Sequence, residues 1–243
     1  PPRQQLDRPR LSFSGHATLP VDWQGEPRRA GLLEADAAVW TQARPVAGAC
    51  ADLALPGLDC QSILASGLRN LERQLAVDAC SGYELRQVAG LPAAESLRRA
   101  LPAELREPLP VHRVGILHDD GAPAIAILSA NADGSLTLAA PLTAGQRISW
   151  AVRQPLAAEQ EMHALLASAD SPAPPAFALM FSCIGRGPLF YGNEDRDLLA
   201  FCQRHPGVPL IGAYGSGQIA PTAAGNRLFQ NSVITLLYRS PHV

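Results

Sequence analysis

A cysteine and an arginine stand close together after one short apolar run, residues 177–182. Cys183 follows the run directly, and Arg186 lies between Gly185 and Gly187. A guanidinium in a flexible turn can hold a carboxylate or phosphate through two parallel hydrogen bonds. A thiol becomes a nucleophile only beside a base that lowers its pKa, and no base is adjacent in sequence. We therefore predict binding rather than catalysis here. The alternatives are a salt bridge for Arg186 and a buried apolar role for Cys183.

A tyrosine stands in a glycine-rich stretch, residues 212–217, further along the chain. Tyr214 can offer a hydroxyl and a ring face to a ligand, and glycines such as Gly215 let a ligand approach the backbone closely. The spacing is not GxGxxG, so a dinucleotide site is not indicated. Asn231 either caps a loop or contacts the same ligand. These three residues join Cys183 and Arg186 in the predicted site.

The composition excludes several kinds of catalysis. All 20 basic residues are arginine, which removes Schiff-base chemistry and a phosphate-binding lysine. The motifs HExxH, GxSxG and GxxxxGK[ST] do not occur. The paired carboxylates Asp119-Asp120 and Glu194-Asp195 look like a turn and a helix start. We therefore predict that the chain is not an enzyme and has no catalytic residue.

Charge, cysteine content and apolar segments indicate which binding partners and which cellular location to expect. The formal net charge of -2 does not indicate nucleic-acid binding. None of the five cysteines forms a CxxC pair, so neither a disulfide framework nor a metal site is predicted. No apolar segment resembles a signal peptide or reaches the roughly 20 residues of a membrane span. A cytoplasmic location without membrane insertion is the expectation.

The elements that must position these residues mix strands and helices without strict alternation. We predict strands over residues 32–40, 83–88, 112–118, 124–128, 135–139, 147–153, 177–182, 208–213 and 232–238. We predict helices over residues 62–75 and 156–169, one opened by Pro92 and one capped by Asn193.

Two of these elements carry a clear periodicity. Leucines at positions 64, 68, 71 and 75 recur at helical spacing, although Gly67 weakens the helix. Residues 147–153 alternate apolar and polar side chains, which predicts a half-exposed antiparallel strand. The predicted fold class is α+β (mixed α/β), with mixed, largely antiparallel sheets covered by helices.

Three ordered motifs near the C-terminus resemble the FIST domain family. The string FSCIGR at 181–186 is similar to the F-S-C-x-x-R signature of FIST C-terminal domains. The string PLIGAYGSGQIAP at 209–221 resembles P-L-x-G-F-Y-x-x-G-E-I-x-P, and LFQNS at 228–232 resembles L-H-N-x-T more loosely. QARP at 42–45 is similar to Q-G-C-R-P near the end of FIST N-terminal domains. The resemblance divides the chain into an N-terminal-domain remnant (1–50), a connecting loop and helix (51–79) and a C-terminal-like sensory domain (80–240).

The resemblance implies a sensory input domain in signal transduction. The implied ligand is a small molecule, with amino acids among the candidates, and the implied partners are a histidine kinase, a methyl-accepting protein or another signalling protein. Gln218 stands where the family usually has Glu, so it keeps hydrogen bonding but loses the charge that would bind an ammonium. The complete predicted ligand site is Cys183, Arg186, Tyr214, Gly215, Gln218 and Asn231.

Two alternatives to a small-molecule sensor remain open. One is a protein-interaction module, which exposed apolar surface around Trp23, Trp40 or Phe190 would favour. The other is a haem-based gas sensor, which needs an axial histidine but leaves no spacing signature. The candidates for that ligand are His112, His118, His163 and His205. The prediction from the sequence is that no cofactor is bound.

Overall fold

The computed structural model describes residues 8–118, 121–169 and 171–240. The chain divides into two compact units, one comprising Pro1–Gly67 and Ala158–Val243 and the other Leu68–Ala157. The division predicted at residues 50 and 79 separates segments that resemble different FIST domains, and it stays a prediction. The predicted Asp119-Asp120 turn lies outside the described residues.

Strands and helices both contribute strongly, which confirms the predicted mixed fold class. The strands are β1 (Arg10–Ser14), β2 (Arg29–Leu33), β3 (Ala38–Thr41), β4 (Arg44–Ala47), β5 (Cys50–Leu53), β6 (Asp59–Ala65), β7 (Leu68–Ser81), β8 (Glu84–Val88), β9 (Leu91–Pro92), β10 (Val114–Leu117), β11 (Ile125–Ala130), β12 (Leu136–Leu138), β13 (Arg147–Arg153), β14 (Phe177–Cys183), β15 (Leu210–Gly215), β16 (Gly217–Thr222), β17 (Gly225–Phe229) and β18 (Val233–Arg239). The α-helices are α1 (Ala93–Ala100), α2 (Pro155–Ser168), α3 (Pro188–Tyr191) and α4 (Arg196–Arg204).

The first unit is built around a four-stranded sheet in the order β15-β14-β18-β6. The β14–β15 pair is parallel, whereas β14–β18 and β18–β6 are antiparallel. One face of this sheet buries Ile63, Met180 and Val233 against side chains of the helices, among them Met162 of α2 and Phe201 of α4. The two helices therefore cover one side of the sheet that carries the predicted site.

The opposite face of that sheet packs on a second sheet. This five-stranded sheet has the order β17-β16-β2-β1-β5, with a parallel β1–β2 pair. Phe181 and Ile234 contribute from the first sheet, and Leu11 and Phe229 contribute from the second. The ring of Phe13 meets that of Phe181 edge to face at 5.5 Å. Strands β3 and β4 form a separate hairpin.

The second unit is a small closed barrel. Its strands run in the order β12-β11-β10-β13-β7-β8, and β12 also pairs with β8, so the described strands of this barrel close on themselves. The interior is filled by apolar side chains around Trp150, which is fully buried. The Trp150 indole N–H donates to Ser96 Oγ of α1 at 3.1 Å. This bond satisfies the one polar atom of the Trp150 side chain.

The helix predicted over residues 62–75 is wrong. Residues Asp59–Ala65 form β6, which pairs with β18 along its whole length and buries Ile63 and Ala65. Gly67 adopts a left-handed conformation (φ +69°) at the turn into β7. The leucines recur at spacings of four, three and four residues, which is a helical pattern, and pairing in the sheets overrides this local preference.

Smaller corrections concern three other elements. The strand predicted over residues 32–40 is split into β2 and β3 by a turn that begins at Glu34. Strand β13 is antiparallel as predicted but not half-exposed, because Ser149 and Ala151 are buried as well as the apolar set. Asn193 is not the helix cap. Asp195 caps α4, and its side chain accepts a hydrogen bond from the Leu198 N–H.

The helices of the described residues are short. None of them combines the length and apolar character needed to cross a membrane.

Candidate functional site

Parallel strands β14 and β15 bring two of the predicted motifs together. Ser182 lies opposite Tyr214 and Cys183 opposite Gly215 at the carboxyl ends of the strands. The Ile184 N–H then donates to the Gly215 carbonyl at 2.9 Å. Because parallel strands end at the same edge, residues about thirty positions apart become neighbours. Ligands of open α/β sheets commonly bind at such an edge.

A cavity of about 250 Å³ lies on the helix-covered face of these two strands. We call it the strand-end cavity. Its walls are formed by residues of both strands and of the start of α4, namely Met180, Ser182, Asp195, Leu198, Leu210, Gly212, Ala213 and Tyr214. The lining is mostly apolar with a few polar groups, which is the usual character of a small-molecule site.

Tyr214 and Asp195 form the polar side of the strand-end cavity. The Tyr214 hydroxyl donates to Asp195 Oδ2, while Asp195 Oδ1 accepts the Leu198 N–H at 3.0 Å. Burial raises the pKa of Tyr214, and the hydrogen bond and negative charge of Asp195 raise it further. The ring packs on Gly187, where a Cβ would come within 2.8 Å of it. Tyr214 is therefore a neutral donor held in place, although 47 % of its surface is exposed.

Ser182 is a further polar residue in the wall of this cavity. The residue is buried, and its Oγ has no hydrogen-bond partner among the described residues. A buried hydroxyl without a partner costs about 1–3 kcal/mol. A ligand or an ordered water that reaches Ser182 Oγ recovers part of this cost.

Arg186 lies in a buried ion cluster rather than at the cavity wall. Its Nε and one terminal nitrogen donate to the two oxygens of Asp197, each at 2.8 Å, and both side chains are fully buried. The other terminal nitrogen donates to the Ala65 carbonyl at 3.1 Å. The Tyr191 hydroxyl donates to Asp197 Oδ1 at 2.9 Å. We call Arg186, Asp197 and Tyr191 the ion cluster.

The electrostatics of the ion cluster keep Arg186 charged. Burial alone lowers the pKa of its guanidinium, but the hydrogen bonds and charge of Asp197 outweigh burial and raise that pKa above its ordinary value. Burial raises the pKa of Tyr191, so its hydroxyl stays a donor. This geometry agrees with the salt-bridge alternative for Arg186, and a direct ligand contact stays a prediction.

The turn between β6 and β7 is shaped to fit this cluster. A Cβ on Gly67 would lie 2.5 Å from a terminal nitrogen of Arg186, so only glycine fits there without a shift. Glu161 of α2 accepts hydrogen bonds from the N–H groups of Ser66 and Gly67 at 3.2 and 2.6 Å. The turn, the loop after β14 and two helices are therefore tied together by polar contacts.

Three other predicted site residues, Cys183, Gln218 and Asn231, have contacts within the fold. Cys183 is buried, with its Sγ 3.9 Å from the Ser216 carbonyl oxygen. Gln218 is fully buried and its Oε1 accepts from Ser232 Oγ at 3.0 Å. Asn231 has a left-handed conformation (φ +55°), and a Cβ on the neighbouring Gly185 would lie 3.0 Å from its Oδ1.

Of the six predicted site residues, Tyr214 lines the strand-end cavity. Gly215 is the next residue along the chain. Sequence reasoning missed Ser182 and Asp195 as cavity residues. Ser182 is the middle residue of the FSC string, so the motif used for the prediction already contained it. The signal for Asp195 was its position three residues before Leu198, the spacing of a capping aspartate.

The histidines considered as haem ligands lie apart from this site. His112 and His163 are exposed, and His118 Nδ1 is 2.8 Å from Gln146 Nε2. His205 borders a different cavity, of about 370 Å³, beside Arg204. Within the described part of the chain, no histidine lines the strand-end cavity and no group of three side chains is suited to a metal ion.

Comparisons with known proteins place these features in a family. The chain is similar to uncharacterized proteins of Mycobacterium tuberculosis and Mycobacterium bovis, each 26% identical over 189 residues that cover 72% of this chain and 49% of the relative. The chain thus spans about half the length of these curated relatives. The profile of the FIST C domain matches residues 87–221, which include every residue of the strand-end cavity and the ion cluster. FIST domains form a sensory family in signal transduction. This chain belongs to the FIST C domain family.

Proposed function

We propose that this chain is a ligand-sensing domain that binds a small molecule in the strand-end cavity. The observation that carries the proposal is the cavity itself, because it joins apolar walls with the unpaired Ser182 hydroxyl and the Tyr214–Asp195 pair. Its volume of about 250 Å³ is below the roughly 300–1,000 Å³ of pockets for drug-sized ligands. This size favours a ligand comparable to an amino acid or another small metabolite.

The lining suggests the polarity of that ligand. Asp195 is the one charged side chain among the lining residues, so it favours a ligand with an ammonium group. Leu198 and Leu210 offer apolar contact to the rest of the molecule, and the Tyr214 hydroxyl can donate to an oxygen. Gln218, the family's usual Glu position, is buried beside Ser232, so we assign the ammonium to Asp195 instead.

Ligand binding in the strand-end cavity can change the structure around α4 through Asp195. Asp195 caps α4 and holds Tyr214 at the same time. A ligand ammonium that engages Asp195 competes with the Tyr214 hydroxyl and changes the segment that leads into the helix. A signalling partner such as a histidine kinase or a methyl-accepting protein then reads the change, and we propose that this happens in the cytoplasm.

The direct test is ligand screening by thermal shift, beginning with amino acids and small amines. A ligand at 100 times its dissociation constant should stabilise the protein by about 2.7 kcal/mol. We expect Asp195→Asn and Tyr214→Phe to reduce the stabilisation by a true ligand. Tyr83→Phe is the matched control, because Tyr83 is also an exposed tyrosine but lies outside the cavity. Equal stabilisation of all three variants would contradict binding at this cavity.

Native mass spectrometry with an absorbance spectrum of the same sample separates the alternatives. A retained small mass without a Soret band supports the proposed sensor, whereas a Soret band that one histidine substitution removes supports a haem sensor. A bare mass favours a protein-interaction module. For that module the structure offers exposed Leu189 and Trp40, while Trp23 is buried. Capture of a purified kinase or receptor would then test it.

A further inference from the structure

Strand β3 of the β3–β4 hairpin borders a second pocket on the first unit. Gln42 and Ala43 connect the two strands with left-handed conformations (φ +49° and +62°), the geometry of the tight two-residue hairpin. The pocket beside the hairpin has a volume of about 330 Å³ and shares no lining residue with the strand-end cavity. We call it the hairpin pocket.

The walls of the hairpin pocket are apolar and include an exposed tryptophan. Phe13, Leu32, Val39 and Trp40 are the large apolar residues that line it. Trp40 leaves 70% of its surface open, whereas Trp23 leaves 7% and Trp150 none. A large aromatic side chain exposed beside an apolar pocket is typical of a binding surface.

Glu34 is the one charged side chain among the described residues that line this pocket. Its Oε2 accepts the Ser216 N–H at 2.6 Å, which fixes the position of the carboxylate. The backbone around it is also fixed, because the Glu34 N–H donates to the Ser14 carbonyl and the Asp36 N–H to the Gly15 carbonyl, each at 3.0 Å. The negative charge is therefore held in position by the fold and remains accessible to solvent.

We propose that the hairpin pocket binds an amphipathic organic cation, an ammonium group attached to an aliphatic or aromatic body. The carboxylate of Glu34 attracts the positive charge, and the Trp40 ring can add a cation–π contact, for which tryptophan is the best side chain. The apolar walls take the body of the molecule. Among the residues that the structure describes, no cationic side chain lines the pocket, so these residues offer an anion of the same size no counter-charge.

Intrinsic fluorescence gives a selective readout of this pocket. Trp150 is buried inside its unit, and the Trp23 ring is already covered by the Arg29 guanidinium, 4.9 Å from its centroid. We expect hexyltrimethylammonium to shift the emission to shorter wavelength and to protect it from acrylamide quenching. In Trp40→Phe this response should disappear. Hexanoate, with the same chain and the opposite charge, should bind at least about tenfold more weakly.

The role of the charge is tested with Glu34→Gln, which keeps an oxygen to accept the Ser216 N–H. We expect this variant to bind the cation about three- to fivefold more weakly, as for an exposed ion pair. Glu104→Gln removes one exposed carboxylate from the other unit and should change nothing. Equal binding of cation and hexanoate, equal effects of the two glutamine variants, or no Trp40 response at all would overturn the proposal. Tyr214→Phe should leave the response intact, which separates this site from the strand-end cavity.

Discussion

Replacement of Arg186 by leucine should strongly destabilise the first unit. The change deletes the hydrogen bonds from Arg186 to Asp197 and to the Ala65 carbonyl, and it leaves the Asp197 carboxylate fully buried beside the Tyr191 hydroxyl. Removal of one partner of a buried ion pair costs about 3–5 kcal/mol, because the remaining charge has lost its counter-charge. Native domains have a free energy of unfolding of only about 5–15 kcal/mol. Arg186→Leu should therefore remove a large fraction of it.

The assay is urea unfolding followed by circular dichroism, which yields the free energy of unfolding of each variant. Arg196→Leu is the matched control, since Arg196 pairs with Glu159 at 2.6 Å but both side chains are partly exposed. An exposed pair contributes about 0–1 kcal/mol, so this variant should stay close to the wild type. The two arginines thus test burial rather than the mere presence of an ion pair.

A double variant checks the physical reason. Arg186→Leu combined with Asp197→Leu removes both charges, and such apolar replacements of a buried pair are often neutral. The double variant should therefore be more stable than Arg186→Leu alone. The reasoning is refuted if Arg186→Leu unfolds within about 1 kcal/mol of the wild type, or if the double variant is no more stable than the single one.

Three further predictions follow from backbone conformation, burial and protonation. Gly67→Ala should cost more free energy of unfolding than Gly57→Ala: both glycines are left-handed, but only a Cβ at Gly67 meets a side chain at 2.5 Å, and urea unfolding measures the difference. Alkylation of the native protein should label exposed Cys202 and spare Cys60, whose pKa burial raises to about 11, as peptide mass spectrometry can check. Burial and two neighbouring arginines lower the pKa of His205 below its usual 6.5. His205 therefore binds a proton more readily in the unfolded chain than in the folded protein. The free energy of unfolding should fall as pH drops below about 6.5, and His205→Gln should weaken that dependence.

The sequence predicted the central strands β14 and β18 correctly. Strands β14 and β18 are short apolar runs bounded by turn residues, and these signals are local. Two of the motifs meet because they are attached to the ends of paired parallel strands, β14 and β15.

The partner of Arg186 could not be predicted in the same way. The arginine meets Asp197, eleven residues later on α4, and the Ala65 carbonyl, which is distant in sequence. Nothing in the local pattern distinguishes Asp197 from the acidic residues around it. The helix predicted over residues 62–75 was wrong for a related reason, because β6 pairs with β18, which is distant in sequence.

The two aspartates at the start of α4 have different tasks because of where their side chains point. Asp195 faces the strand-end cavity and holds Tyr214, while Asp197 is locked in the ion cluster by Arg186. A ligand that displaces Tyr214 from Asp195 therefore acts on a helix whose next residues are fixed by a buried ion pair. Movement of α4 as a rigid body would break that pair. On the proposed function, the response is thus confined to the Tyr214 side chain and to residues 192–195, between Tyr191 and α4, and a change in hydrogen exchange upon ligand binding should appear there rather than along α4.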